Sequence, residues 1–153
     1  MPVFTLPLAA TDQQIRDIVK AWSELLAQED HEAALSLIPS ASGRWTPDRL
    51  RRAIEGYGVA EQDEATLALL LEEHGVERFV VTSLNDQADF DPIRHIDVDR
   101  GDPFDVETGK SFGSVLYTDI PLNGSPSDLT AEFDIKRCGL DALTLEFLNI
   151  HVM

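Results

Sequence analysis

Between Thr11 and about Ala27 the apolar residues Ile15, Ile18, Val19, Trp22, Leu25 and Leu26 recur at the i, i+3, i+4, i+7 spacing of one helical face. Thr11 with Gln14 three residues on makes a capping-box start, because each side chain can satisfy a backbone N–H that the first turn leaves free. Asp30 opens a second helix through about Leu37, and Ile38 before Pro39 ends it, since proline disfavours helical geometry in the residue ahead of it. Thr46 with Pro47 at the first helical position predicts a third helix, with Leu50, Ile54 and Tyr57 on one face. A fourth is predicted from about Glu64 to His74, with Leu67, Leu70 and Leu71 buried and Gly75 as a left-handed stop.

The period then changes. Residues 78–84 form a short β-branched run, and 94–100 alternate, with Ile96 and Val98 set between His95, Asp97 and Asp99. Three more strands are predicted at 114–120, 128–136 and 142–152. Along 128–136, Leu129, Ala131, Phe133 and Ile135 face one way while Thr130, Glu132, Asp134 and Lys136 face the other, the signature of a sheet with one wet face. In the last strand Leu143, Leu145 and Phe147 keep one phase and Leu148, Ile150 and Val152 the other. Either a β-bulge restores the core phase there, or the strand end is buried on both faces and turns Asn149 and His151 inward. Helices first and strands later predict an α+β fold, with the N-terminal helices packed on a curved, mostly antiparallel sheet of about five strands. No internal repeat is visible, so residues 1–153 read as a single domain.

Composition sharpens this. Lys and Arg number 12 against 28 Asp and Glu, a formal net charge of −16, while the hydrophobic fraction of 43% is that of an ordinary globular chain. A domain of 153 residues removes roughly 68–70% of its unfolded surface from water and needs no metal or disulfide to fold. Such a charge repels nucleic acid and anionic lipid, and favours basic proteins and cations. The lone Cys138 and the absence of a basic segment ahead of the first short apolar stretch predict a cytoplasmic location. No run of eighteen apolar residues occurs, so no membrane-spanning segment is expected.

Candidate chemistry is sparse. Arg44, Arg49, Arg51 and Arg52 cluster around Trp45 and a helix start, where guanidinium groups beside free N–H groups could hold an anion; Arg44, Arg49 and Arg52 are the candidates, weighed against a solvated, ion-paired helix face. Eight carboxylates fall between Asn85 and Glu107, but the run 97–102 misplaces the glycine of a calcium loop and has Thr108 where a bidentate Glu belongs. A weak cation site at Asp97 and Asp99 is the residue of that idea, and a solvated or partner-docking acidic surface is the better reading. The four histidines make no zinc spacing, so no metal or cofactor is expected. His95, His151, Tyr117 and Asp119 are pocket candidates: an imidazole oriented by a carboxylate can act as a base, and Asp119 lies in phase with Val115 and Tyr117 on an otherwise apolar face. No nucleophile motif is present.

The segments YTDIPLNGSPSDLTAEFDI and LTLEFLNIHVM resemble a small uncharacterised bacterial domain family over roughly residues 110–153, which implies no particular activity. More loosely, a Trp-Leu helical stripe, short helices and then a curved antiparallel sheet resemble the nuclear transport factor 2-like cone, whose members include isomerases, dehydratases and noncatalytic binding proteins. The Asp-His pairs of its catalytic members have no clear counterpart in the sequence. The expected function is therefore a noncatalytic domain that engages a basic protein partner, in the manner of a bacterial toxin-neutralising protein. The alternative is a cone-fold small-molecule pocket protein or a lyase or isomerase built on Tyr117, Asp119, His95 or His151. A homodimer stays open in either case.

Overall fold

The computed structural model describes residues 6–7, 10–40, 43–57, 65, 68, 69, 72, 79–86, 90–100, 113–137 and 142–152. The first helix, α1 (Asp12–Ala27), starts at the expected capping box: Gln14 N–H donates to Thr11 Oγ1 at 3.2 Å and Thr11 N–H to Gln14 Oε1 at 2.8 Å. Its stripe is the inner one, with Ile15, Val19, Trp22 and Leu26 buried. Asp30 caps α2 (His31–Leu37) by accepting from Ala33 N–H at 3.0 Å, and Thr46 caps α3 (Pro47–Glu55) by accepting from Arg49 N–H at 3.1 Å. In the predicted fourth helix Ala65, Ala68, Leu69 and Glu72 are helical, whereas Leu67, Leu70, Leu71 and Gly75 lie outside the described residues.

The strands are β1 (Leu6–Pro7), β2 (Ile96–Arg100), β3 (Gly113–Tyr117), β4 (Leu129–Arg137) and β5 (Ala142–Val152). They form one curled antiparallel half-barrel in the order β1-β5-β4-β3-β2, so the fold is α+β. The inner face carries Ile96, Val115, Tyr117, Leu129, Ala131, Phe133, Ile135, Leu143, Leu145, Phe147 and Ile150 against the helices. Trp22 fills the centre, edge-on to Phe133 at 5.0 Å and tilted on Phe147 at 5.5 Å.

The phase change in β5 is a bulge. Phe133 pairs with Phe147 but Glu132 pairs with Asn149, which leaves Leu148 as the extra residue. Ile150 thereby returns to the core, and Asn149 and His151 stay half-buried on the other face. The irregular backbone is satisfied from outside the sheet: Phe147 N–H donates to Pro39 O at 2.8 Å, and the Trp45 indole N–H donates to Leu148 O at 3.1 Å.

Three expectations need correction. The run 79–84 is not a strand of the sheet. Phe79 N–H donates to Glu55 O on α3 at 3.4 Å, the middle of the run bonds to the 121–124 turn, Thr82 N–H to Pro121 O at 2.9 Å and Val80 N–H to Asn123 Oδ1 at 2.9 Å, and its end is held by Glu24 on α1, which accepts from Ser83 Oγ and Leu84 N–H. His95 is not on β2 but closes a helical turn, α4 (Pro92–His95), because the Asp91 carboxylate accepts from Ile93 N–H and proline is a favoured residue at the first helical position. β3 ends at Tyr117, and Asp119 has a left-handed backbone (φ 55°), so it leaves the phase of Val115 and Tyr117.

Candidate functional site

Antiparallel register decides what the sheet shows to solvent. Asp97 pairs with Leu116, Leu116 with Glu132, and Glu132 with Asn149; one step along, Asp99 pairs with Ser114, Ser114 with Asp134, and Asp134 with Glu146. These are the outward positions of their strands, opposite the helices. Leu148, pushed out by the bulge, adds an apolar side chain that is 37% exposed. Asp97, Asp99, Ser114, Leu116, Glu132 and Leu148 line an open hollow of about 360 Å³ on this face.

The charges of this face are unevenly compensated. Lys136 Nζ reaches Asp134 at 3.1 Å, and His151 Nε2 reaches Glu132 at 3.3 Å. Asp97 and Asp99 are exposed, and no side-chain hydrogen bond or ion pair joins either to another of the described residues. Two positions apart on one strand, their Cα atoms are separated by about 6.5–7 Å. Among the described residues no three His, Cys, Asp or Glu side chains are grouped to hold a metal ion.

A second grouping sits where β3 ends. His95 Nε2 lies 3.4 Å from Asp119 Oδ2, and His95 Nδ1 faces the Asp91 backbone, 3.2 Å from its N and 3.1 Å from its O. Phe90 stacks on the imidazole at 5.3 Å and meets Tyr117 edge-on at 6.4 Å. Of the four pocket candidates, the fold brings His95 and Asp119 together. Asp119 is not a buried carboxylate: its side chain is 47% exposed and finds the imidazole as its partner. Tyr117 is inside, sharing a 2.8 Å hydrogen bond with Ser23, and burial lifts its phenol well above the ordinary range. His151 lies on the outer face with Glu132 and does not join them.

The arginine candidates sit on and around α3. Arg49 stacks its guanidinium over the Trp45 ring, 4.4 Å from the centroid, and donates to Arg44 O at 3.1 Å. Arg51 bridges Asp48 at 3.7 Å and Glu55 at 3.3 Å, and Arg52 Nε donates to Asp48 O at 3.4 Å. Arg44 is exposed. These contacts turn the guanidinium groups of Arg49, Arg51 and Arg52 toward their own helix and its approach.

No protein-family model, curated protein or solved structure matches this chain. No helix among the described residues is long and apolar enough to cross a membrane.

Sequence reasoning singled out Asp97 and Asp99 as a same-face pair but missed Ser114, Leu116, Glu132 and Leu148 as their neighbours. Leu148 was within reach, since the phase break at Phe147 and Leu148 marks a residue with no place in the core. The other three become neighbours only through the pairing of β2, β3 and β4.

Proposed function

We propose that this chain is a noncatalytic binding domain whose outer sheet face engages a basic protein partner, in the manner of a toxin-neutralising protein. One observation carries the reading: Asp97 and Asp99 flank a hollow without a cation of their own among the described residues, in a chain with a net charge of −16. Exposed like charges two positions apart repel one another and gain when an outside cation arrives. Steering by such a field makes association fast and strongly salt-dependent. Helices laid against a curled sheet also agree with a cone of the nuclear transport factor 2-like kind, and we adopt that finer description of the fold here.

The test is capture of a partner at low salt, its identification, and the measurement of its dissociation constant as ionic strength rises. A basic partner whose affinity falls steeply with salt is expected; an acidic partner, or salt-independent binding, contradicts the reading. The convergence of His95 and Asp119 favours a second reading, a pocket protein or a lyase- or isomerase-type enzyme in which the imidazole acts as a base oriented by the carboxylate. The half-exposed Asp119 weakens it, because a water-screened carboxylate tunes an imidazole less than an enclosed one.

A further inference from the structure

We infer that the hollow on the outer sheet face receives an arginine side chain of the basic partner, with the guanidinium across Asp97 and Asp99 and the aliphatic stem over Leu116 and Leu148. The inference rests on the binding reading above and specifies its contact.

The lining is of two kinds. Asp97, Asp99 and Glu132 supply acceptors, while Leu116 and Leu148 supply an apolar surface beside them. A bare cation uses only the first kind, and an apolar side chain only the second. Arginine uses both, since its stem covers apolar surface while its head stays charged. Its planar head carries five donors in a fixed fork, and can serve two carboxylates that an ammonium contacts as a single point charge. Ser114 keeps the space open: it stands between Asp99 and Asp134 in the cross-strand row with a short side chain, where any longer one would project into the hollow.

The competing occupant is a second copy of this chain. Charge argues against it, because a face bearing Asp97, Asp99, Glu132, Asp134 and Glu146 with Lys136 and His151 would oppose carboxylates to carboxylates across a two-fold axis. Among these acids, Glu132 and Asp134 already have a basic side chain within 3.3 Å, and of Asp97, Asp99 and Glu146 only the two aspartates line the hollow, which makes their end of the face the place of greatest gain for an incoming guanidinium.

The experiment titrates octa-arginine and octa-lysine peptides into the full chain by calorimetry at low and at physiological salt. Four proteins are compared: wild type, D97N/D99N, Ser114→Phe, and D17N/E32Q, which removes the same charge from exposed helical positions. Ser114→Phe fills the hollow at constant charge, and an aromatic residue is well suited to an exposed strand position. The expected result is tighter binding of octa-arginine than of octa-lysine by wild type, lost by roughly tenfold in both D97N/D99N and Ser114→Phe, with D17N/E32Q within about threefold of wild type. Equal losses in D97N/D99N and D17N/E32Q with Ser114→Phe unchanged would show a diffuse field, overturning the hollow while the acidic binding reading stands. Binding of neither peptide to wild type at low salt would sink both.

Discussion

Deletion of Leu148 and Asn149 together reverses the phase on which the outer face depends. With both gone, Ile150 follows Phe147 directly and turns outward while His151 turns toward the helices, whereas deletion of Leu148 alone leaves Asn149 opposite Glu132 and Ile150 opposite Ala131 in a regular ladder. Ile150 is 5% exposed, and returning it to water costs about 1.5–3 kcal/mol. Burying His151 without a partner costs about 1–3 kcal/mol, so the reversal totals about 2.5–6 kcal/mol, a large part of a domain's whole stability. Urea denaturation of the double deletion against the deletion of Leu148 alone measures it. Both variants lose the hydrogen bond from the Trp45 indole to Leu148 O, and the single deletion keeps every remaining side chain on its present face, so the difference between them reads the phase. A double deletion as stable as the single one would refute the phase of β5 as the device that keeps Ile150 in the core.

Trp22→Ala is expected to cost about 3–5 kcal/mol, since the ring is fully buried between Phe133 and Phe147. Trp22→Phe should cost clearly less, because the indole N–H is buried without a partner among the described residues and its removal relieves that penalty; equal losses in the two variants would count against this packing. His31 has its pKa lowered from 6.5, first by burial and then by the positive charge of Arg51. The folded state therefore disfavours its protonation, and the stability it contributes is present above 6.5 and lost as pH falls below that value toward the lower folded pKa. His31→Gln should lose less stability than wild type across that interval, and parallel profiles would contradict the assignment. Both tyrosines titrate above their ordinary 10.0, Tyr117 by burial and Tyr57 through its hydrogen bond with Asp128. An acid raised in the folded state lowers stability as pH climbs past its unfolded value, so in a Tyr57→Phe background the phenolate absorbance of Tyr117 should appear only together with unfolding; native-state ionisation near 10.0 in that background would refute the environment of Tyr117.

Much of the fold was legible because its signals are local. The stripe of α1, the caps at Thr11, Asp30 and Thr46, and the alternation along β4 each lie within a few residues. The break at Phe147 and Leu148 even announced the bulge, although choosing between it and a doubly buried strand end needed the register with β4. What failed was non-local. β1 is two residues long and has no period to read. The run 79–84 has strand composition, but its backbone bonds go to Glu55, the 121–124 turn and Glu24 and not to a neighbouring strand of the sheet. Asp119 kept the phase of β3 on paper and lost it to a left-handed backbone, which set it beside His95 from a different part of the chain. The hollow is a product of pairing: Asp97, Leu116 and Glu132 share a row across three strands, and no spacing along the chain records it.

The central claim is that the sheet's outer face, where Asp97 and Asp99 have no basic partner among the described residues, is where this protein meets its partner. Amide chemical-shift mapping during titration of isotope-labelled protein with octa-arginine reads that face directly. The account predicts shifts concentrated at Asp97, Asp99, Ser114, Leu116, Glu132 and Leu148 and fading with salt. Shifts centred on His95 and Asp119, or spread evenly over the acidic surface of the helices, would contradict it.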